Sequence, residues 1–217
     1  MSRKISLAPD EFYHLYNRGT DKRIIFNNNR DRDRFIYLLY LSNGTRPFHF
    51  NELKPDTIFS FDKGGDLTNI VSYCLMDNHF HILVQSIDDT GISVFMHKLA
   101  TAYTMYFNKI NNRKGRLFET NFQVRHIDSE NYLKYIHSYI HLNPIKIVEP
   151  NWKEVGLKNN SAVKQFLNNY THSSYLDYAG NNREEQKILN KTAFPYFEDK
   201  KEFEEYLEDW LTYRPEA

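Results

Sequence analysis

The stretch Asp77-Asn78-His79-Phe80-His81-Ile82-Leu83-Val84 holds the side chains best suited to chemistry. On a strand, neighbouring side chains point to opposite faces, so His79 and His81 share one face while Phe80 turns to the other. Two imidazoles at a strand start beside a turn can grip one divalent ion, although the same pattern also describes an ordinary surface pair. A third donor is then required. Tyr139 and Asn143, four residues apart on a helix, stack on one face, and an amide oxygen is a suitable hard donor for Mg²⁺ or Mn²⁺. His137 and His141 also stand four apart, but roughly 200° round the helix from Tyr139, so they face away from that stripe. Tyr132 and Tyr135 share the stripe with Tyr139, and residue chemistry alone does not choose among the three as a nucleophile.

These residues need elements to position them. Phe12 to Asn17 reads as a first strand ending in the turn Arg18-Gly19-Thr20. Asp31 is expected to cap a helix carrying Phe35, Ile36, Leu38 and Leu39. Asn43 to Gly65, rich in Gly, Pro, Asp and Asn, is expected to be a loop or an irregular hairpin. Asn69–Met76 and Phe80–Ser86 form an antiparallel hairpin about Asp77-Asn78. Phe95, Leu99, Tyr103, Tyr106 and Ile110 mark a long helix from Ile92, and Leu117 to His126 is a further strand. Asp128 or Ser129 then caps the helix of Tyr139, stopped by Pro144. The order predicts an α+β fold, a split βαβ antiparallel sheet with helices on one face. Residues 1–150 form this catalytic domain and 151–217 a polar, helical C-terminal extension.

Composition narrows the class. The chain has 217 residues, 41% hydrophobic and 16% aromatic, enough for a substantial core. The lone Cys74 excludes a disulfide framework or a multi-cysteine zinc site. The polar start and the short apolar runs point to a soluble, cytoplasmic protein with no membrane partner. Charges balance at 28 basic against 28 acidic, which argues against a generic DNA coater. They are unevenly placed, however. From 98 to 125 six cations, among them Arg113, Lys114 and Arg116, oppose only Glu119, whereas from 185 to 217 nine acids face five bases.

Tyr73-Cys74-Leu75-Met76-Asp77-Asn78-His79-Phe80-His81-Ile82-Leu83-Val84, followed by Tyr139-Ile140-His141-Leu142-Asn143-Pro144, resembles the single-tyrosine, HUH-type transposases. Within them it is most similar to the REP-associated tyrosine transposases. His14-Leu15-Tyr16-Asn17-Arg18-Gly19, Gly115-Arg116-Leu117-Phe118-Glu119 and Ser173-Ser174-Tyr175 support the likeness, which covers residues 10 to 178. Asp77 stands where relatives often carry Pro, and Ile145-Lys146-Ile147 replaces the usual run after Asn-Pro. The resemblance implies a ferredoxin-like fold, Tyr139 as nucleophile, and His79, His81 and Asn143 as ligands of a divalent metal (Mg²⁺ or Mn²⁺). It implies cleavage and rejoining of single-stranded or hairpin DNA through a 5′-phosphotyrosine, by a monomer or homodimer. Arg18, Arg113, Lys114 and Arg116 are the candidate DNA-binding residues. Two other readings stay open: a non-cleaving hairpin-DNA-binding protein, and a metal-dependent hydrolase using Asp77.

Overall fold

The computed structural model describes residues 7–197 and 199–212. Of the charges counted in the acidic tail, Glu198, Arg214 and Glu216 lie outside these residues, as does the polar start, residues 1–6. Among the described residues no helix is long and apolar enough to cross a membrane.

Four strands, β1 (Phe12–Arg18), β2 (Thr68–Met76), β3 (His79–Ser86) and β4 (Gln123–Ile127), form one antiparallel sheet in the order β2-β3-β1-β4. Helix α1 (Asn29–Ser42) links β1 to β2, and α2 (Gly91–Ile110) links β3 to β4. This is the ferredoxin-like arrangement that the element order predicts. Helix α3 (Glu130–Leu142) follows β4, and beyond it come α4 (Ile145–Val148), α5 (Trp152–Val155), α6 (Asn160–Leu167), α7 (Tyr175–Tyr178) and α8 (Lys200–Thr212).

One expectation is corrected: the helices do not share a face. Leu15, Phe80, Ile82 and Val84 pack with α1 and α2, through Phe35, Leu39, Phe95 and Leu99. Val71, Cys74, Leu83 and Ile127 pack on the opposite face against Leu133, Ile136 and Ile140 of α3. The cause lies in β2 and β3, whose runs are almost wholly buried. Strands apolar on both faces need cover on both.

Local differences have local reasons. Asn28, not Asp31, caps α1, its side chain accepting from the Asp31 amide. Asp31 is buried in the first turn, where its carboxylate accepts from the Asn27 amide and the Tyr106 hydroxyl. The strand expected from Leu117 is interrupted: Phe118 bridges to Gly19, the Thr120 and Asn121 carbonyls then accept from the Asn17 side chain, and β4 begins only at Gln123. Of the two expectations for 43–65 the loop holds: it carries two 3-10 helices, Phe50–Glu52 and Pro55–Ser60, the second burying Ile58 and Phe59. Ser129 caps α3 as expected. Pro144 does end that helix, yet the chain turns directly into α4.

The segment after 150 is built onto the sheet. Ser173 bridges to Cys74, and the Ser174 and Leu75 amides bond across to Tyr73 and His172 carbonyls, extending the outer edge of β2. Arg183 pairs with the buried Asp177 and donates to the Thr171 and Ser173 carbonyls, fixing this segment.

His137 and His141 face this segment, as their helical phase requires. Their rings lie 4.4 Å apart among Phe194, Tyr178 and Phe203, and His141 meets the Ser174 hydroxyl at 2.7 Å. Burial pushes His141 down to about 3 and His137 well below its ordinary value, so both are neutral in the fold. In the unfolded chain each accepts a proton near pH 6.5. Stability is therefore full above pH 6.5 and falls as pH drops below it, by about 2 kcal/mol per histidine at pH 5. Urea midpoints at pH 7 and pH 5 should show this loss, and His141→Asn should shrink it. Equal midpoints for the wild type would contradict a buried, neutral pair.

Candidate active site

The site begins with the β1–β3 register. His81 lies opposite Tyr16 and His79 opposite Arg18, which places His14, Tyr16, His79 and His81 on the α3 face. The His79 and His81 rings are 5.0 Å apart and nearly perpendicular. His79 Nδ1 meets the Asn78 side-chain oxygen at 2.6 Å, which leaves its Nε2 outward. His81 Nδ1 meets His14 Nε2 at 2.9 Å, and His81 Nε2 is buried with no hydrogen-bond partner. Burial, reinforced by Lys146 and Arg18, lowers His79 to about 4; burial, His14, His79, Lys146 and Lys153 lower His81 well below its ordinary value. His14 is likewise lowered to about 4 by burial, with help from Arg125. All three are neutral imidazoles at pH 7, the form in which a histidine can ligate a metal.

Helix α3 lays its tyrosines over this face as a ladder. Tyr132 and Tyr135 stack at 6.1 Å, Tyr135 and Tyr139 at 6.2 Å. Geometry now separates them. Tyr132 meets Arg125, Tyr135 meets Trp210 of α8, and Tyr139 stands edge-on to His81 at 5.3 Å and to His14 at 6.3 Å. Nucleophile candidate and histidine pair thus meet within one chain. Burial raises the Tyr139 phenol above its usual range, opposed by the neighbouring Asn143 amide. That amide is itself buried, and neither Oδ1 nor Nδ2 has a partner in hydrogen-bond geometry.

A divalent cation fits the donors present. His81 Nε2 and Asn143 Oδ1 are buried atoms lacking the partners such groups ordinarily have. Among the described residues no three His, Cys, Asp or Glu side chains cluster to hold a metal. The hydrolase candidate Asp77 instead pairs with Arg32 at 2.5 Å.

Residues 59–143 match the family model described as "Transposase IS200 like". Over these residues the chain is similar to the IS200-like transposases. A solved structure described as a REP-associated tyrosine transposase bound to a REP hairpin superposes with a TM-score of 0.51 at 12% identity, covering 85% of this chain and 89% of that one. At that identity the likeness speaks for the fold. No curated protein matches the sequence.

Two residues of the site escaped the sequence. His14 is one, and the alternation along β1 could have placed it beside His81. Lys153 is the other: the α5 ammonium lies 4.3 Å from the Tyr139 ring centre, with Lys146 at 5.7 Å. Burial, with Lys146 close by, lowers the Lys153 pKa. The predicted DNA-binding residues scatter. Arg18, at the His79 end of β1, holds Glu119 in a two-pronged ion pair. Arg113 folds inward onto Asn108 and the Arg116 carbonyl, Lys114 is exposed, and Arg116 lines a cleft beside α2.

Proposed function

We propose that this chain is a transposase-like enzyme that cuts and rejoins single-stranded DNA, with Tyr139 as nucleophile. The observation carrying this reading is the Tyr139 ring edge-on to His81, within the stretch that matches a transposase family model. The Tyr139 oxygen attacks a backbone phosphorus, the 3′-oxygen leaves, and the DNA 5′-phosphate stays esterified to the phenol. One phosphodiester is exchanged for another, so the released 3′-hydroxyl can reverse the step without an energy source. A divalent cation held by His79, His81 and Asn143 would supply Lewis-acid polarisation of the phosphate. With His81 Nδ1–H donating to His14 Nε2, the tautomer that metal ligation through Nε2 requires, the 2.9 Å contact fixes the ring.

Lys153 and Lys146 bring positive charge to a phenol that burial otherwise keeps protonated. They also suit the developing charge on the attacked phosphate. Such a cation contributes roughly 2 kcal/mol in a partly buried site, a rate factor of about 30. Lys153→Met should therefore slow adduct formation about 30-fold while leaving the fold intact, with Lys153→Arg recovering part of the rate. An unchanged rate in Lys153→Met would remove this residue from the site.

The hydrolase reading loses support because Asp77 is engaged by Arg32. The reading as a whole is tested by incubating the protein with labelled single-stranded hairpin DNA and Mn²⁺. A strand transferase gives a protein–DNA adduct that survives SDS. A hydrolase gives free ends without one, and a binding protein gives intact DNA.

A further inference from the structure

On the side of the sheet away from Tyr139, a cleft of about 530 Å³ opens between the first turn of α1, the end of α2 and the 3-10 helix Phe50–Glu52. Its centre is a built stack. The Arg34 guanidinium lies 3.4 Å from the Phe50 ring centre and 4.6 Å from that of Tyr106. Arg30 and Lys109 flank it, both exposed. The other α1 arginine, Arg32, is neutralised by Asp77, but no carboxylate pairs with Arg30, Arg34 or Lys109 among the described residues. Asp31, whose carboxylate accepts from Tyr106, is fully buried beneath.

The apolar wall is equally unusual. Met105 is 67% exposed and Ile110 46%, both at this cleft. Met105 also borders a second cleft of about 680 Å³ that holds Arg116, Phe118 and Phe122. Met105 thus borders two clefts, each of which holds cations beside aromatic rings. An acidic peptide would need only the cations. Flat rings, a guanidinium fixed between them and an exposed thioether suit an unpaired base next to a phosphate.

We propose that this cleft is a second nucleic-acid site, separate from the Tyr139 site, that holds single-stranded DNA. Arg30 and Lys109 take backbone phosphates, and an adjacent base lies against the Phe50–Arg34–Tyr106 stack. The site goes beyond the proposed strand transfer and needs no reaction at Tyr139. Its test accordingly uses Tyr139→Phe protein, so that its failure is distinct from failure of the chemistry.

Fluorescein-labelled (dT)20 is titrated into Tyr139→Phe and into the same protein carrying Arg30→Glu and Lys109→Glu, with anisotropy read across salt concentrations. The charge reversals should weaken binding at least about tenfold and flatten the salt slope by about 1.4, the share of two single-strand phosphates. In Tyr139→Phe protein, (dT)20 should also protect amides at 48–51 and 102–110 from hydrogen exchange. Unchanged affinity and slope, or protection confined to α3 and β3, would overturn the proposal. So would a (Glu)12 peptide that displaces the DNA as well as unlabelled (dT)20 does. Should the charge reversals lower the melting temperature, the exchange measurement on Tyr139→Phe decides alone.

Discussion

Tyr139→Phe should lose the SDS-resistant adduct by a factor on the order of 10³ or more, because the assigned nucleophilic oxygen is gone. The substitution removes one oxygen and keeps the ring that packs against His81, His14 and Tyr135. Stability should accordingly change by less than about 1 kcal/mol, as for changes that leave packing intact. DNA affinity should hold within a few-fold. The matched control is Tyr135→Phe, whose ring faces Trp210 rather than the histidines. Its adduct yield should stay within a few-fold of wild type, as measured by gel shift under denaturing conditions. Equal losses in the two variants would mean that the ladder acts as packing.

The second large effect concerns His81. Its Nε2 is a buried donor atom with nothing to bond, and its other nitrogen is held by His14. If a cation completes this site, Mn²⁺ at a hundredfold excess over its Kd stabilises the fold by about 2.7 kcal/mol, a melting rise of roughly 5–10 °C at this size. His81→Ala should abolish that rise and the adduct together. His14→Ala should keep a rise but need about 10–100 times more metal, since it removes only the orienting partner. A wild-type melting curve unmoved by Mn²⁺, Mg²⁺ or other divalent ions would contradict the ligand assignment.

How far the residues foretell this arrangement depends on the range of the forces involved. The His79/His81 pair was legible because strand alternation is local, and β3 obeys it: His79 and His81 lie on one face, Phe80 on the other. The Tyr139/Asn143 stripe was legible by helical phase, which also sent His137 and His141 the other way, into an aromatic cluster. Periodicity could not choose among three tyrosines on one stripe; contacts with Arg125, Trp210 and His81 distinguish them, and the proposed role of Tyr139 rests on the last. Nor could it show that α3 covers the opposite face of the sheet from α1 and α2, although the apolar run Ile70–Met76 of β2, interrupted only by Ser72, carried that signal. Asp31 suited a cap by type, but Asn28 won because Asp31 is drawn inward by Tyr106, 75 residues away. Lys153 was out of reach for a similar reason. It rides on a four-residue helix anchored by buried Trp152, and its approach to Tyr139 depends on turns that no local pattern encodes.

The most direct test of the nucleophile is to digest the trapped adduct and sequence the modified peptide by mass spectrometry. Trypsin should release Tyr135–Lys146, which contains both Tyr135 and Tyr139. The account predicts a 5′-linked nucleotide on the Tyr139 oxygen. A nucleotide on Tyr135 or on any other residue, or cleaved DNA with no modified peptide, would contradict it.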